Sequence, residues 1–233
     1  MKALNTIALA ASLVGVSSGA TLIQTQNYAF VPNGSQTVTF NKFDTSLGTL
    51  TGVNVSVTLN KSGGSFQVDN DSDNAGTIDL THLVKGSLST SLGSTALLNT
   101  VFGTIGTNTV LVATSTLSNQ SITGTTGDAT NAFNATNLGD FVSFNPTPVG
   151  ASDSGDINNA FIGLYQGAGT FTDTVTADQI VSATGLSGLQ QSFTVSNISG
   201  AVVVTYTYTA IPEPASALLG GLGLLGLVVR RRR

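Results

Sequence analysis

In the stretch Val53-Asn54-Val55-Ser56-Val57-Thr58-Leu59, apolar and polar residues alternate without a break. A period of two is the signature of a β-strand with one buried face, because successive side chains on a strand point to opposite sides. The same rhythm returns at Val202, Val204, Tyr206 and Tyr208, set against Thr205 and Thr207, with Val203 interrupting the polar side. Shorter alternations lie at Thr37 to Phe40, Phe66 to Val68 and Phe193 to Val195. The polar positions are mostly Ser, Thr and Asn, which suit a pleated surface. Between these runs lie turn residues: Asn33-Gly34, Thr51-Gly52, Ser62-Gly63-Gly64, Ala75-Gly76, Asp128, Asp153-Ser154-Gly155 and Ser199-Gly200. Long helical periodicity is missing. The stretch 161–165 reads as a strand or a helical turn, and 123–160 as a long loop pair with weak strands. One all-β domain over residues 21–209 follows, an antiparallel sandwich of jelly-roll or Ig-like form. A solenoid is the second choice, but no fixed period supports it.

The chain has 233 residues, 27 glycines, no cysteine, no tryptophan and one histidine, and only 9% of it is charged. The missing cysteines exclude disulfide scaffolds and the usual structural zinc sites. The body carries eleven aspartates against Lys42, Lys61 and Lys85, which leaves it at −8. Nucleic acid and a bare anionic bilayer would repel such a surface, so no nucleic-acid partner is expected.

Both ends carry processing text. Lys2, the apolar run Ala3 to Val16 and the small residues Ser18-Gly19-Ala20 read as a signal peptide over residues 1–20. Cleavage after Ala20 by signal peptidase, following passage through the Sec translocon, would start the mature chain at Thr21. An ordinary N-terminal helix is the alternative, but no cap or polar face follows the run. At the other end, Pro212-Glu213-Pro214 holds the sole glutamate. A mostly apolar run, residues 215–229, and then Arg230, Arg231, Arg232 and Arg233 follow. As a helix that run would be about 22 Å long. This is short of a roughly 30 Å hydrocarbon core, but thinning and snorkelling close such gaps. The arginines would hold their end in the cytoplasm by the positive-inside rule, which leaves the body outside. The alternative, a buried core helix, gains nothing from four adjacent like charges.

Pro-Glu-Pro, a glycine-rich apolar segment and an Arg cluster, in that order over 211–233, resemble the PEP-CTERM sorting signal. The resemblance implies an exosortase substrate, cleaved at Pro212-Glu213-Pro214 and delivered to the envelope or the outside of a Gram-negative bacterium that often makes exopolysaccharide. The body resembles the choice-of-anchor E domain at Phe43-Asp44-Thr45-Ser46-Leu47-Gly48-Thr49-Leu50 and at Val202 to Thr209. That resemblance implies a secreted β-rich domain and assigns no activity.

Chemistry-bearing residues are few. His82 is the only imidazole and reads as a sheet-surface or edge residue. A Ser-His-Asp arrangement with Asp79 lacks a nucleophile elbow, so the chain is read as a non-enzyme without cofactor. Asp69, Asp71, Asp73 and Asp79 form the best ligand candidate. Alternate carboxylates in a loop can direct oxygens at one Ca²⁺. The EF-hand pattern fails, however, with Asn74 at its sixth position and Leu80 at its twelfth. The other reading is a solvated Asx-rich turn. Asp153, Asp156 and Asn158 are a weaker second group. The functional expectation is therefore a structural, adhesive or matrix component of the envelope. The alternative is a Ca-dependent carbohydrate or surface binding module, for which Tyr28, Tyr165, Tyr206 and Tyr208 are the only tyrosines, with Tyr206 and Tyr208 expected in the core.

Overall fold

A computed structural model describes residues 19–92, 111–124, 133 and 139–211. The expected signal-peptide core, the helix 215–229, Pro212, Glu213, Pro214 and Arg230 to Arg233 lie outside these residues. Among the described residues no helix is long and apolar enough to cross a membrane.

The described chain is all-β and antiparallel. Its strands are β1 (Gly19–Phe30), β2 (Gly34–Asn41), β3 (Gly48–Ser62), β4 (Ser65–Asn70), β5 (Gly76–Thr90), β6 (Leu111–Ile122), β7 (Phe141–Phe144), β8 (Val149–Asp156), β9 (Thr170–Thr184), β10 (Leu189–Thr194) and β11 (Asn197–Ala210). A short 3-10 turn at Ile162–Tyr165 resolves the open choice at 161–165 in favour of the helical turn. Three sheets form, ordered β1-β11-β3-β8, β2-β9-β5-β6 and β10-β4-β7.

The alternating runs generate the layers. Val53, Val55, Val57 and Leu59 on β3 and Val202, Val204 and Tyr206 on β11 are all buried. They share one cluster with Phe40, Val84, Phe171 and Val175 of the second sheet. Each such side chain contributes about 1.5–3 kcal/mol of burial. A smaller cluster holds Phe66, Val68, Ile78, Leu80, Ile122 and Phe144. It lies between the three-stranded sheet and the far halves of β5 and β6. The long β5 therefore contributes to both cores, Ile78 and Leu80 to the small one and Val84 and Leu88 to the large one.

Several expected turns are strand interior instead. Thr51-Gly52 lies within β3 at a bulge: Thr207 pairs Gly52 and Tyr208 pairs Leu50, which leaves Thr51 as the extra residue. Its hydroxyl donates to the Thr207 carbonyl at 3.0 Å. A bulge breaks the alternation just as a turn does, so the two look alike in sequence. Ser199-Gly200 lies within β11, where a Cβ on Gly200 would collide with the Thr58 carbonyl and the Tyr28 ring. Glycine there is a close-approach residue, since the Tyr28 hydroxyl donates to Thr58 O at 2.5 Å. Asp153-Ser154-Gly155 lies within the edge strand β8. Ser62-Gly63-Gly64 is a true turn, with φ of 66° and 79° at the two glycines. Phe193 and Val195 depart from the expected buried face. Phe193 is 50% exposed, because β10 is the edge of its small sheet.

Candidate functional site

The first region of interest is the pole from which both chain ends leave. β11 is a central strand, bonded to β1 on one side and β3 on the other. Antiparallel register puts Gly19 opposite Thr209 and Ala20 opposite Tyr208, so the start of β1 and the end of β11 are neighbours. Ala210 pairs Gly48, and the Ile211 amide donates to Leu47 O at 3.2 Å. The segment Phe43–Leu50 packs against this exit. Phe43 is fully buried, with its ring 5.8 Å from Tyr206 and 5.0 Å from Tyr208. The Tyr206 hydroxyl donates to Asn41 O at 2.8 Å, and burial raises its pKa. Asp44 accepts the Ser46 amide at 2.9 Å, and this bond holds its carboxyl below the ordinary range. The expected cleavage after Ala20 would remove only two paired positions from β1, an edge strand.

The second region is a buried basic pair. Lys61 ends the inward phase of β3, and His82 lies on β5 between β9 and β6. Lys61 is 1% exposed and His82 0% exposed. This corrects the expectation of a surface or edge histidine. Lys61 Nζ lies 2.7 Å from His82 Nδ1 and 3.2 Å from His82 O. An ammonium only donates, so Nδ1 accepts and the ring proton sits on Nε2. Nε2 is buried with no hydrogen-bond partner among the described residues. Burial lowers Lys61 to about 8. Burial, and then the Lys61 charge, lower His82 to about 4. A neutral, sealed imidazole whose Nδ1 is occupied by an ammonium is poorly suited to take a proton from a nucleophile. Asp79 is not its partner, because Asp79 Oδ1 accepts the Asn119 amide at 2.8 Å across a bulge.

The aspartate loop is organised around Asn70 rather than around a point shared by its carboxylates. Asn70 is fully buried and donates to Asn74 O at 2.9 Å and to Thr123 O at 2.8 Å. Its Oδ1 accepts from the Ser72 hydroxyl at 2.7 Å and the Ser72 amide at 3.1 Å. Asp69 is buried on β4, while Asp73 and Asp79 face solvent. Among the described residues no group of three or more His, Cys, Asp or Glu is placed to hold a metal ion. In the second group, Asp153 Oδ1 accepts its neighbour's amide (Ser154, 2.8 Å) and Asp156 accepts from Asn54 Nδ2 at 2.7 Å. Asn158 Oδ1 accepts the Ala160 amide at 3.0 Å.

Sequence reasoning missed Asp173, which is buried on β9 and bonded by Thr90. Burial pushes its carboxyl up to about 6. Tyr28, Tyr165 and Tyr206 are buried and Tyr208 is half-buried, so these rings offer little face to a sugar.

A β body whose central strand feeds a Pro-Glu-Pro, apolar, Arg-terminated tail defines a class, a β-sandwich carrying a C-terminal sorting signal. The signal is the PEP-CTERM protein-sorting motif, which matches residues 210–233 and begins on the last residue of β11. It implies exosortase-dependent sorting of an exported protein. The match does not reach the body, and the expected choice-of-anchor E resemblance at Phe43–Leu50 and Val202–Thr209 gains no support from it. No curated protein matches the chain. Among solved structures, infectious bursal disease virus Gt strain aligns at 12% identity over 93% of this chain and 50% of that one, with a TM-score of 0.15. The VP2 subviral particle of the same virus aligns at 14% identity over 98% and 53%, with a TM-score of 0.16. The chain thus spans about half the length of these viral chains, and scores this low carry no argument.

Proposed function

We propose that this chain is a non-enzymatic envelope or extracellular-matrix protein of a Gram-negative bacterium. It is exported through the Sec translocon, held by the helix 215–229 with Arg230 to Arg233 in the cytoplasm, and then released by exosortase at Pro212-Glu213-Pro214. The observation that carries this reading is the sorting motif at 210–233, continuous with the central strand of the body. Support for a non-enzymatic body comes from the sealing of Lys61 and His82, which no substrate can reach without opening the sandwich. The mature domain would act by its surface, as a structural or adhesive unit, with exopolysaccharide as the neighbouring material.

Replacing Pro212, Glu213 and Pro214 together by alanine in the producing cell tests the sorting step. The wild-type domain is expected at the surface or in the medium, and the variant in the cytoplasmic-membrane fraction. Equal release of the two would contradict the reading.

A further inference from the structure

We propose that, before cleavage, the pole bearing Leu47 and Ile211 rests directly on the outer face of the cytoplasmic membrane and contacts lipid there. This inference rests on the anchoring half of the proposed function. Strand pairing holds β11 as far as Ala210, and the Ile211 amide is still bonded to Leu47 O. Only Pro212, Glu213 and Pro214 separate Ile211 from the apolar run that opens at Ala215. Four residue steps reach at most about 14 Å even when fully extended. The headgroup layer fills roughly 5–8 Å on each side of the hydrocarbon. The folded pole therefore has little room to stand clear of the membrane.

The side chains at the pole fit that position. Leu47 is 43% exposed and Ile211 is 59% exposed, and they are adjacent in space. The start of β1 lies beside them, with Gly19 paired to Thr209. Charge is arranged to match. The one exposed carboxylate of this loop, Asp44, lies two residues from Lys42. Asp71, Asp73 and Asp79 lie at the far end of β5 and its preceding loop. Along β5, Asp79 is eleven residues from Thr90, roughly 36 Å at strand rise. Asp173, which pairs Thr90 at this end, is buried, and the exposed Asp156 pairs Asn54 about 20 Å along β3 from Gly48, so Asp44 is the exposed carboxylate nearest the headgroups.

The chain has no cysteine, so single labels can be placed without background. Full-length Leu47→Cys, Thr45→Cys and Asp73→Cys would each carry an environment-sensitive fluorophore. Each would be reconstituted in phosphatidylethanolamine–phosphatidylglycerol vesicles containing a lipid-borne quencher. Labels at positions 45 and 47 are expected to be quenched several-fold more than the label at 73. Having two pole positions guards against one variant that fails to fold, which far-ultraviolet circular dichroism would reveal. Vesicle flotation separates the two hypotheses. A chain that floats with equal quenching at all three positions overturns the lipid contact and leaves the sorting reading intact. A chain that does not float overturns both.

Discussion

The two cores of the molecule differ in how they are closed. The large one lies between two four-stranded sheets and is lined by the alternating apolar residues of β3 and β11. The small one is capped by three short strands, and the outermost, β10, leaves Phe193 half in solvent. The Lys61–His82 pair sits on strands that pass between them: Leu59 belongs to the large core, and Leu80 and Val84 flank His82 on either side. The pair, with His82 Nε2 left without a hydrogen-bond partner among the described residues, thus lies where neither apolar cluster is complete.

The largest effect should come from the large core. Tyr206→Ala is expected to lower unfolding free energy by about 3–5 kcal/mol in urea titration. Phe66→Ala tests whether the small core unfolds separately. Because β5 serves both, a single transition is expected in both variants. A separate early transition in Phe66→Ala alone would divide the molecule in two.

The changeover pair comes next. His82→Leu leaves a buried ammonium with one carbonyl and should cost about 3 kcal/mol. The double variant Lys61→Met/His82→Leu should recover most of that loss, or exceed wild type, since both desolvated groups are gone. A double variant as unstable as the single would show that the pair holds the changeover together. Gly200→Ala should cost about 1–3 kcal/mol by pushing Tyr28 and Thr58 apart.

The pH dependence separates the polar groups by sign. The lowered Lys61 makes stability rise with pH between about 8 and the ordinary 10.5, because the unfolded chain binds the extra proton. The lowered His82 makes stability fall as pH drops from the ordinary 6.5 to about 4. Asp173, raised from 3.8 to about 6, acts in the opposite sense, and its contribution is lost as pH rises through that window. Asp173→Asn should therefore steepen the acid loss, read as melting temperature at pH 4 to 7. A shallower loss would place the acid sensitivity elsewhere. The smallest effect belongs to the exposed edge, where Phe193→Thr should stay within about 0.5 kcal/mol.

Alternation makes the large core legible in the sequence, and its period runs on through polar residues. Lys61 continues the phase of Val53, Val55, Val57 and Leu59. His82 stands between Leu80 and Val84 in the same phase, and Asp173 between Phe171 and Val175. Following the period through the polar residues would have buried all three. The bulges could not be read this way, since one extra residue at Thr51 erases the phase as a turn would. The organising role of Asn70 was hidden as well, because its partners include Thr123, distant in sequence. The sorting tail was legible because its parts are consecutive and depend on no folded partner.

The central claim is that the chain is exported and trimmed at both ends. Intact-mass measurement of the protein recovered from the cell surface or medium tests it most directly. The account predicts a species starting at Thr21 and ending within Pro212–Pro214. A recovered chain that still carries Met1 and Arg233 would contradict it.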